Sequence, residues 1–166
     1  MESDLYNQFL KSQDKLYRFS VSLARNQSDA EDVYQEALIK IWELRGDWGK
    51  WLSFEAYAMR ILRNTFLNFK KKSGKQAFIS IDEYNEIPQQ NETDRNIILS
   101  DLRMTFANLI RNLPEVQRNI LHLREIEELE YREIGEILEI SESQVKVYLF
   151  RGRQSIKNKL KSHVTR

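Results

Sequence analysis

The chain has 166 residues, of which 26 are lysine or arginine and 25 aspartate or glutamate, for a formal net charge of +1. That length suits one ordinary domain or two small ones, and a hydrophobic content of 41% is enough for helical cores. With 31% charged residues, five glycines and two prolines, the composition favours a mostly helical protein over a turn-rich sandwich or a disordered chain, and the lack of cysteine excludes disulfides, thiolate zinc sites and a cysteine nucleophile. No apolar run exceeds four residues, so no bilayer-spanning helix and no membrane insertion are expected. Met-Glu-Ser-Asp at the start lacks the basic and apolar regions of a secretory signal, which makes a reduced, cytoplasmic location the expectation.

In chain order, a first helix is predicted from about Asp4 to Arg25, where Leu5, Phe9, Leu16, Phe19 and Leu23 form one buried stripe. Asn26-Gln27 breaks it, and Ser28 with Glu31 reads as a capping box opening a second helix over about 29–44. That helix can bury Ala30, Val33, Ala37, Ile41 and Leu44, leaving Asp32, Gln35, Glu36 and Glu43 on another face. Residues 29–43 hold five acids and one base. Gly46 and Gly49 then mark a loop over Arg45–Ser53 carrying Trp48 and Trp51. A third helix, from about Phe54 to Lys72, is expected to bury Tyr57, Ile61, Phe66 and Phe69; six bases and no acid lie between 60 and 75.

From Ser73 to about Asn96 periodicity is lost, and the stretch reads as a flexible linker between two small helical domains. A helix from about Ile97 to Asn112 leads to Leu113-Pro114, where the next helix starts and runs to about Ile126. A short helix over Tyr131–Leu138, the turn Glu139-Ile140-Ser141 and a long helix to about Leu160 follow, with Ser141 and Gln144 as a second capping box. Residues 141–166 carry seven bases and one acid. The fold class expected is therefore all-α. Two basic stretches separated by an acidic one (six acids and one base over 82–101) suggest two sites for a polyanion joined by a connector that avoids it.

The strongest local pattern is the short helix, three-residue turn and basic second helix over Tyr131–Arg153, which makes a helix-turn-helix. Ile134, Ile137, Leu138, Ile140, Val145 and Leu149 would join its helices, while Ser143, Gln144, Lys146, Val147, Phe150 and Arg151 would face a major groove. Tyr131, Arg153 and Lys157 are placed for phosphates, which position a protein without reading sequence. The alternative is a plain helical hairpin with a basic face. A second pattern sets Trp48, Trp51, Phe54, Tyr57, Phe66 and Phe69 among Arg60, Arg63, Asn64 and Lys70–Lys72, the mixture of stacking faces and cations that holds single strands. The same aromatics could instead be core, and either tryptophan could simply close it. The acidic face Asp32/Gln35/Glu36/Glu43 has no histidine partner, and no His-Glu-x-x-His, phosphate-binding glycine loop or Gly-x-Ser-x-Gly is present. No catalytic constellation, metal site or cofactor is therefore expected, and this face is better suited to docking on a basic protein.

Taken together, these residues resemble the bacterial RNA polymerase sigma factors of the sigma-70 family, in the extracytoplasmic-function group. Asp29-Ala-Glu-Asp-Val-Tyr-Gln-Glu-Ala-Leu-Ile-Lys-Ile-Trp42 resembles the polymerase-binding helix, Arg60-Ile-Leu-Arg-Asn64 with Lys70–Lys72 the end of the promoter-melting domain, and Leu113-Pro-Glu-Val-Gln-Arg118 with the helix-turn-helix the C-terminal domain. The resemblance implies region 2 over 1–72, a linker over 73–103 and region 4 over 104–166. It implies that Asp32, Gln35 and Glu36 grip the β′ clamp helices of core RNA polymerase. Trp48, Trp51, Arg60, Arg63, Asn64, Lys70 and Lys71 would then hold the −10 element around a flipped base, whose extrusion costs a few kcal/mol. Tyr131, Ser143, Gln144, Lys146, Val147, Phe150, Arg151 and Arg153 would bind the −35 element, and the same domain the β-flap. An anti-sigma factor is a further implied partner, and no ATP or other cofactor is needed.

The sequence departs from the family pattern in three places. Trp51-Leu52 stands upstream of where a Trp-Leu pair is often found, Gln144 stands where threonine is common, and Gly152 stands where alanine is common. Gly152 is expected to soften its helix by about 1 kcal/mol relative to alanine. Two other readings would fit the residues less closely. A dimeric helix-turn-helix regulator would bind symmetric operators alone, and a carboxylate metal enzyme would carry its metal at Asp32/Glu36.

Overall fold

The structure, a computed structural model, describes residues 2–73 and 97–164; the expected linker lies, from residue 74 to 96, outside them. The described residues form helices: α1 (Glu2–Ala24), α2 (Gln27–Glu43), a 3₁₀ segment Arg45–Lys50, α3 (Phe54–Lys72), α4 (Ile97–Arg111), α5 (Glu115–Leu121), α6 (Tyr131–Leu138) and α7 (Glu142–Val164). The all-α expectation holds across them.

The first three helices pack against one another as a bundle. Phe9, Leu16, Phe19 and Leu23 of α1 are buried as the periodicity predicts, facing Ala30, Val33, Ala37 and Ile41 of α2. Each large side chain taken fully out of water contributes about 1.5–3 kcal/mol. The small polar residues buried in this bundle pair their hydroxyl donors with carbonyls of their own helix. Ser12 Oγ donates to the Phe9 carbonyl at 2.8 Å, Ser20 Oγ to Tyr17 at 2.6 Å and Thr65 Oγ1 to Ile61 at 2.8 Å.

Three local expectations are corrected. Asn26, not Ser28, caps α2: its Oδ1 accepts the Asp29 N–H at 2.8 Å, so the residue read as a helix breaker is the helix start. Leu44 lies past the end of α2 and is exposed rather than core. On α3 the buried set is Phe54, Ala56, Ala58, Met59, Leu62, Thr65 and Phe66; Tyr57 is exposed, and Ile61 and Phe69 are half-buried. Of the four residues expected there, Phe66 is buried as predicted, while Ala56, Ala58, Met59 and Leu62 take the rest of the face.

In the second half, α5 and α7 pack closely, α6 rests on α7, and α5 runs into a π-helical turn over His122–Ile126. The expected continuous helix to Ile126 is thus widened in its last turn. Gly152 is buried between α7 and α5, where an added Cβ would lie 3.0 Å from Leu121 Cδ1. The glycine that looks like a weak point in the helix is the residue that lets the two helices approach. The two halves also touch: α3 packs against α6, and α1 against α5 and the π turn.

Candidate nucleic-acid interface

The helix-turn-helix is built as its sequence suggests. Glu130 N–H donates to Glu133 Oε2 at 3.0 Å, part of a capping box that opens α6. The helix ends at Glu139, which takes left-handed backbone angles (φ 58, ψ 45), and Ile140 N–H returns to the Gly135 carbonyl at 3.0 Å. A Cβ at position 135 would stand 2.8 Å from the Ile140 carbonyl oxygen, so only glycine lets this turn close so tightly. Ser141 and Gln144 then cap α7 reciprocally: Gln144 N–H donates to Ser141 Oγ at 3.2 Å and Ser141 N–H to Gln144 Oε1 at 3.0 Å.

This geometry buries Ile134, Ile137, Leu138, Val145 and Leu149 between the helices, with Ile140 half-buried beside them. Ser143, Gln144, Lys146, Val147, Phe150 and Arg151 are all exposed, Val147 at 46% and Phe150 at 63%. Two apolar side chains kept in water on a basic helix are what contact with a thymine methyl requires. The flanking residues are more committed. Tyr131 is half-buried under the Arg124 guanidinium, 4.6 Å from its ring centroid, and Arg153 donates to Glu125 through Nε at 2.8 Å.

The first half places its residues differently. Ser53 caps α3 through its Oγ, which accepts the Ala56 N–H at 3.2 Å. Trp48 is corrected from a surface contact to a core residue: it is 4% exposed, and its indole N–H donates to the Ile41 carbonyl at 3.0 Å. It stacks on Phe9 and meets Phe54 edge-on. Trp51 is half-buried and stacks on Tyr57 with ring centroids 4.4 Å apart, leaving Leu52 beside it 94% exposed. Along α3, Asn64 and Lys71 are exposed and Arg63 half-buried. Arg60 Nη2 donates to Glu139 Oε1 at 3.1 Å, and Lys70 Nζ stands 4.0 Å from Glu115 Oε2.

On α2, Asp32 and Gln35 are exposed, and Glu36 pairs with Lys40 at 3.1 Å. Ile39, 60% exposed, continues this face one turn further; the sequence alone named it neither in the core nor on this face, because that face was picked out by its charged and amide residues. Also missed is a cluster between the two halves, Arg18, His122 and Glu127. Glu127 lies in the acid-rich run Glu125–Glu130 and carries no sequence mark that separates it from its solvated neighbours. Among the described residues, no group of three or more His, Cys, Asp or Glu is placed to hold a metal ion, and no helix is long and apolar enough to cross a membrane.

Comparison with known proteins places these surfaces in a family. Residues 9–76 match the family model of sigma-70 region 2 and residues 103–156 that of sigma-70, region 4. The chain is 31% identical over 153 residues to the ECF RNA polymerase sigma-E factor of Escherichia coli K12, covering 83% of this chain and 77% of that protein. It is 26% identical over 154 residues to the ECF RNA polymerase sigma factor SigM of Bacillus subtilis, covering 93% and 91%. Against SigE of Mycolicibacterium smegmatis it is 30% identical over 152 residues, but spans 59% of that longer protein. In fold it is similar to the sigma factor RpoE of Bartonella quintana, solved with the anti-sigma factor NepR, with a TM-score of 0.76 at 23% identity over 95% of this chain and 97% of that one. The matched regions and the sigma-E likeness together establish that the chain belongs to the sigma-70 family of RNA polymerase sigma factors, in its extracytoplasmic-function group.

Proposed function

We propose that this chain directs core RNA polymerase to specific promoters, melting a −10 element with its first domain (1–72) and binding a −35 element with its last (104–166). The observation that carries the reading is the recognition face of α7, where Ser143, Gln144, Lys146, Val147, Phe150 and Arg151 are all exposed while Val145 and Leu149 bury the opposite side. A helix so divided, preceded by a closed three-residue turn, is shaped to enter a major groove. Direct bonds from Arg151, Lys146 and Gln144 to base edges supply specificity, and Tyr131 and Arg153 hold the backbone.

On the first domain, Trp51 and Tyr57 with exposed Leu52 form an apolar platform at the head of a basic helix. It receives an unstacked base while Arg60, Arg63, Asn64, Lys70 and Lys71 follow the strand. The face Asp32/Gln35/Glu36, extended by Ile39, docks on the β′ clamp helices. The apolar groove of about 660 Å³ lined by Phe106, Leu121, Ile156 and Leu160 is offered to the β-flap. The chain itself performs no chemistry; bond formation belongs to the polymerase, in the cytoplasm. An anti-sigma factor, such as the one solved with the RpoE relative, is a further partner.

Run-off transcription from a promoter library tests this, using purified core polymerase with and without the chain. Selective initiation that needs the chain is the expected result. Binding to symmetric duplex operators without polymerase would replace the reading with that of a dimeric regulator. Within the same assay, Glu36→Lys reverses the charge of the docking face and is expected to abolish holoenzyme assembly while leaving the circular dichroism spectrum unchanged.

A further inference from the structure

Of the polar side chains on the exposed face of α7, Lys146 and Arg151 carry only donors, and the Ser143 hydroxyl turns either way. Gln144 differs from these, because its amide sets a two-donor nitrogen and an acceptor oxygen on one carbon. A free amide of this kind matches an adenine edge: the oxygen accepts from N6 while the nitrogen donates to N7. The cap at the start of α7 removes that option.

Gln144 stands three residues past Ser141, and its Oε1 accepts the Ser141 N–H at 3.0 Å. A backbone N–H can only donate, so the amide atom facing it has to be the oxygen. The Ser141 hydroxyl accepts the Gln144 N–H at 3.2 Å and directs its own hydrogen to the same Oε1 at 3.3 Å. Both lone pairs of that oxygen are therefore engaged. Nε2 makes no hydrogen bond to the described residues, and the side chain is exposed.

The cap is held from behind. Val145 N–H donates to the Ser141 carbonyl at 3.0 Å, and the Val145 side chain is fully buried between the helices. Turning the Gln144 oxygen towards a base would strip the Ser141 N–H of its acceptor where contact with DNA also excludes water, which costs as much as a lost bond.

We propose that Gln144 reads DNA as a donor only, selecting guanine and rejecting adenine, and that Ser141 sets this choice as a positioning residue. Guanine offers two neighbouring acceptors in the major groove, N7 and O6, whereas adenine sets the donor N6 beside N7. Against adenine, the outward amide nitrogen meets a second donor and both are left unpaired. The choice of base rests on the reading of α7 as the recognition helix and sharpens it.

The test selects bound duplexes from a pool randomised across the −35 element, using holoenzyme made from the full chain and purified core polymerase. Gln144→Glu marks the position concerned as the one whose preference it changes. That variant keeps the cap, since a carboxylate oxygen still accepts the Ser141 N–H, but it replaces the outward donors with an acceptor. The parent is expected to prefer guanine over adenine there by about tenfold, and Gln144→Glu to prefer cytosine, whose N4 donates. Ser141→Ala frees one lone pair of Oε1 and is expected to cut the guanine-to-adenine ratio to about threefold, at that position and no other.

A parent preference for any base but guanine at the marked position overturns the proposal. So does a loss in Gln144→Glu spread evenly over all sequences, which would put the amide on phosphate, or no change at all. An unaltered ratio in Ser141→Ala overturns the positioning role. A parent holoenzyme without preference anywhere across the element overturns the recognition-helix reading together with what rests on it.

Discussion

The two basic helices of this protein carry charge of the same sign and stand in very different states. On α7, Ser143, Gln144, Lys146, Val147, Phe150 and Arg151 are open to solvent. On α3, Arg60 and Lys70 face carboxylates of the second domain, and Trp48 at its head has gone into the core. A block of positive charge in a sequence therefore reports where a polyanion can go, and says nothing about whether an internal carboxylate is already there.

The largest expected effect tests the ring on which the domains meet. Phe19→Ala removes a fully buried side chain and is expected to destabilise the chain by about 3–5 kcal/mol in denaturant titration. It also removes the stack on His122 and should open the domains. Phe54→Ala, equally aromatic but confined to the first bundle, should destabilise without opening; equal opening by both would erase the distinction between the helices' surroundings. Next, Gly152→Leu forces α5 away from α7 and is expected to cost about 1–3 kcal/mol, read from the thermal midpoint. It should disturb the presentation of the recognition helix and leave the first bundle intact.

Arg151→Ala and Arg60→Ala sharpen the contrast directly. Loss of Arg151, which is exposed and has no carboxylate partner among the ion pairs of the described residues, is expected to weaken −35 binding by about 1–3 kcal/mol. Loss of Arg60 removes a DNA contact and an interdomain bond together, so its net effect on promoter binding is expected to be smaller. A larger loss from Arg60 would mean that the bond to Glu139 does not compete with DNA.

The smallest effect is a pH dependence. Burial works to raise the Glu127 carboxyl, but the His122 and Arg18 side chains outweigh it and hold the group below its ordinary value of 4.5. A carboxylate lowered in the folded state stabilises fully above its unfolded value, and that contribution is lost as pH falls through the folded one. The stability that Glu127 contributes is therefore present above its ordinary value of 4.5 and lost as pH falls below it, and Glu127→Leu paired with Arg18→Met should remove that loss, read from thermal midpoints.

The helix-turn-helix was legible because every signal in it is local. The box between Ser141 and Gln144 and the apolar spacing from Ile134 to Leu149 act within twenty residues and agree with one another, whereas the tight turn that requires glycine at 135 shows only in the structure. Asn26 shows the limit of that logic, since a residue can end one helix and cap the next, and only the backbone at Asp29 decides. Trp48 and Tyr57 exchanged their expected roles because three bundled helices choose which aromatic fits between them. Arg18 and Glu127 meet across 109 positions of chain, and no spacing rule reaches that far.

Glu139 stands at the left-handed position of the turn. The turn of a helix-turn-helix is cheapest with glycine, yet this one holds a glutamate at φ 58, whose carboxylate bonds Arg60. Replacement by glycine would make the turn easier to form and the domains easier to part. The same position thus trades backbone ease against a side-chain bond that spans the two halves of the molecule, a bond worth no more than about 1 kcal/mol because both partners stay in contact with water.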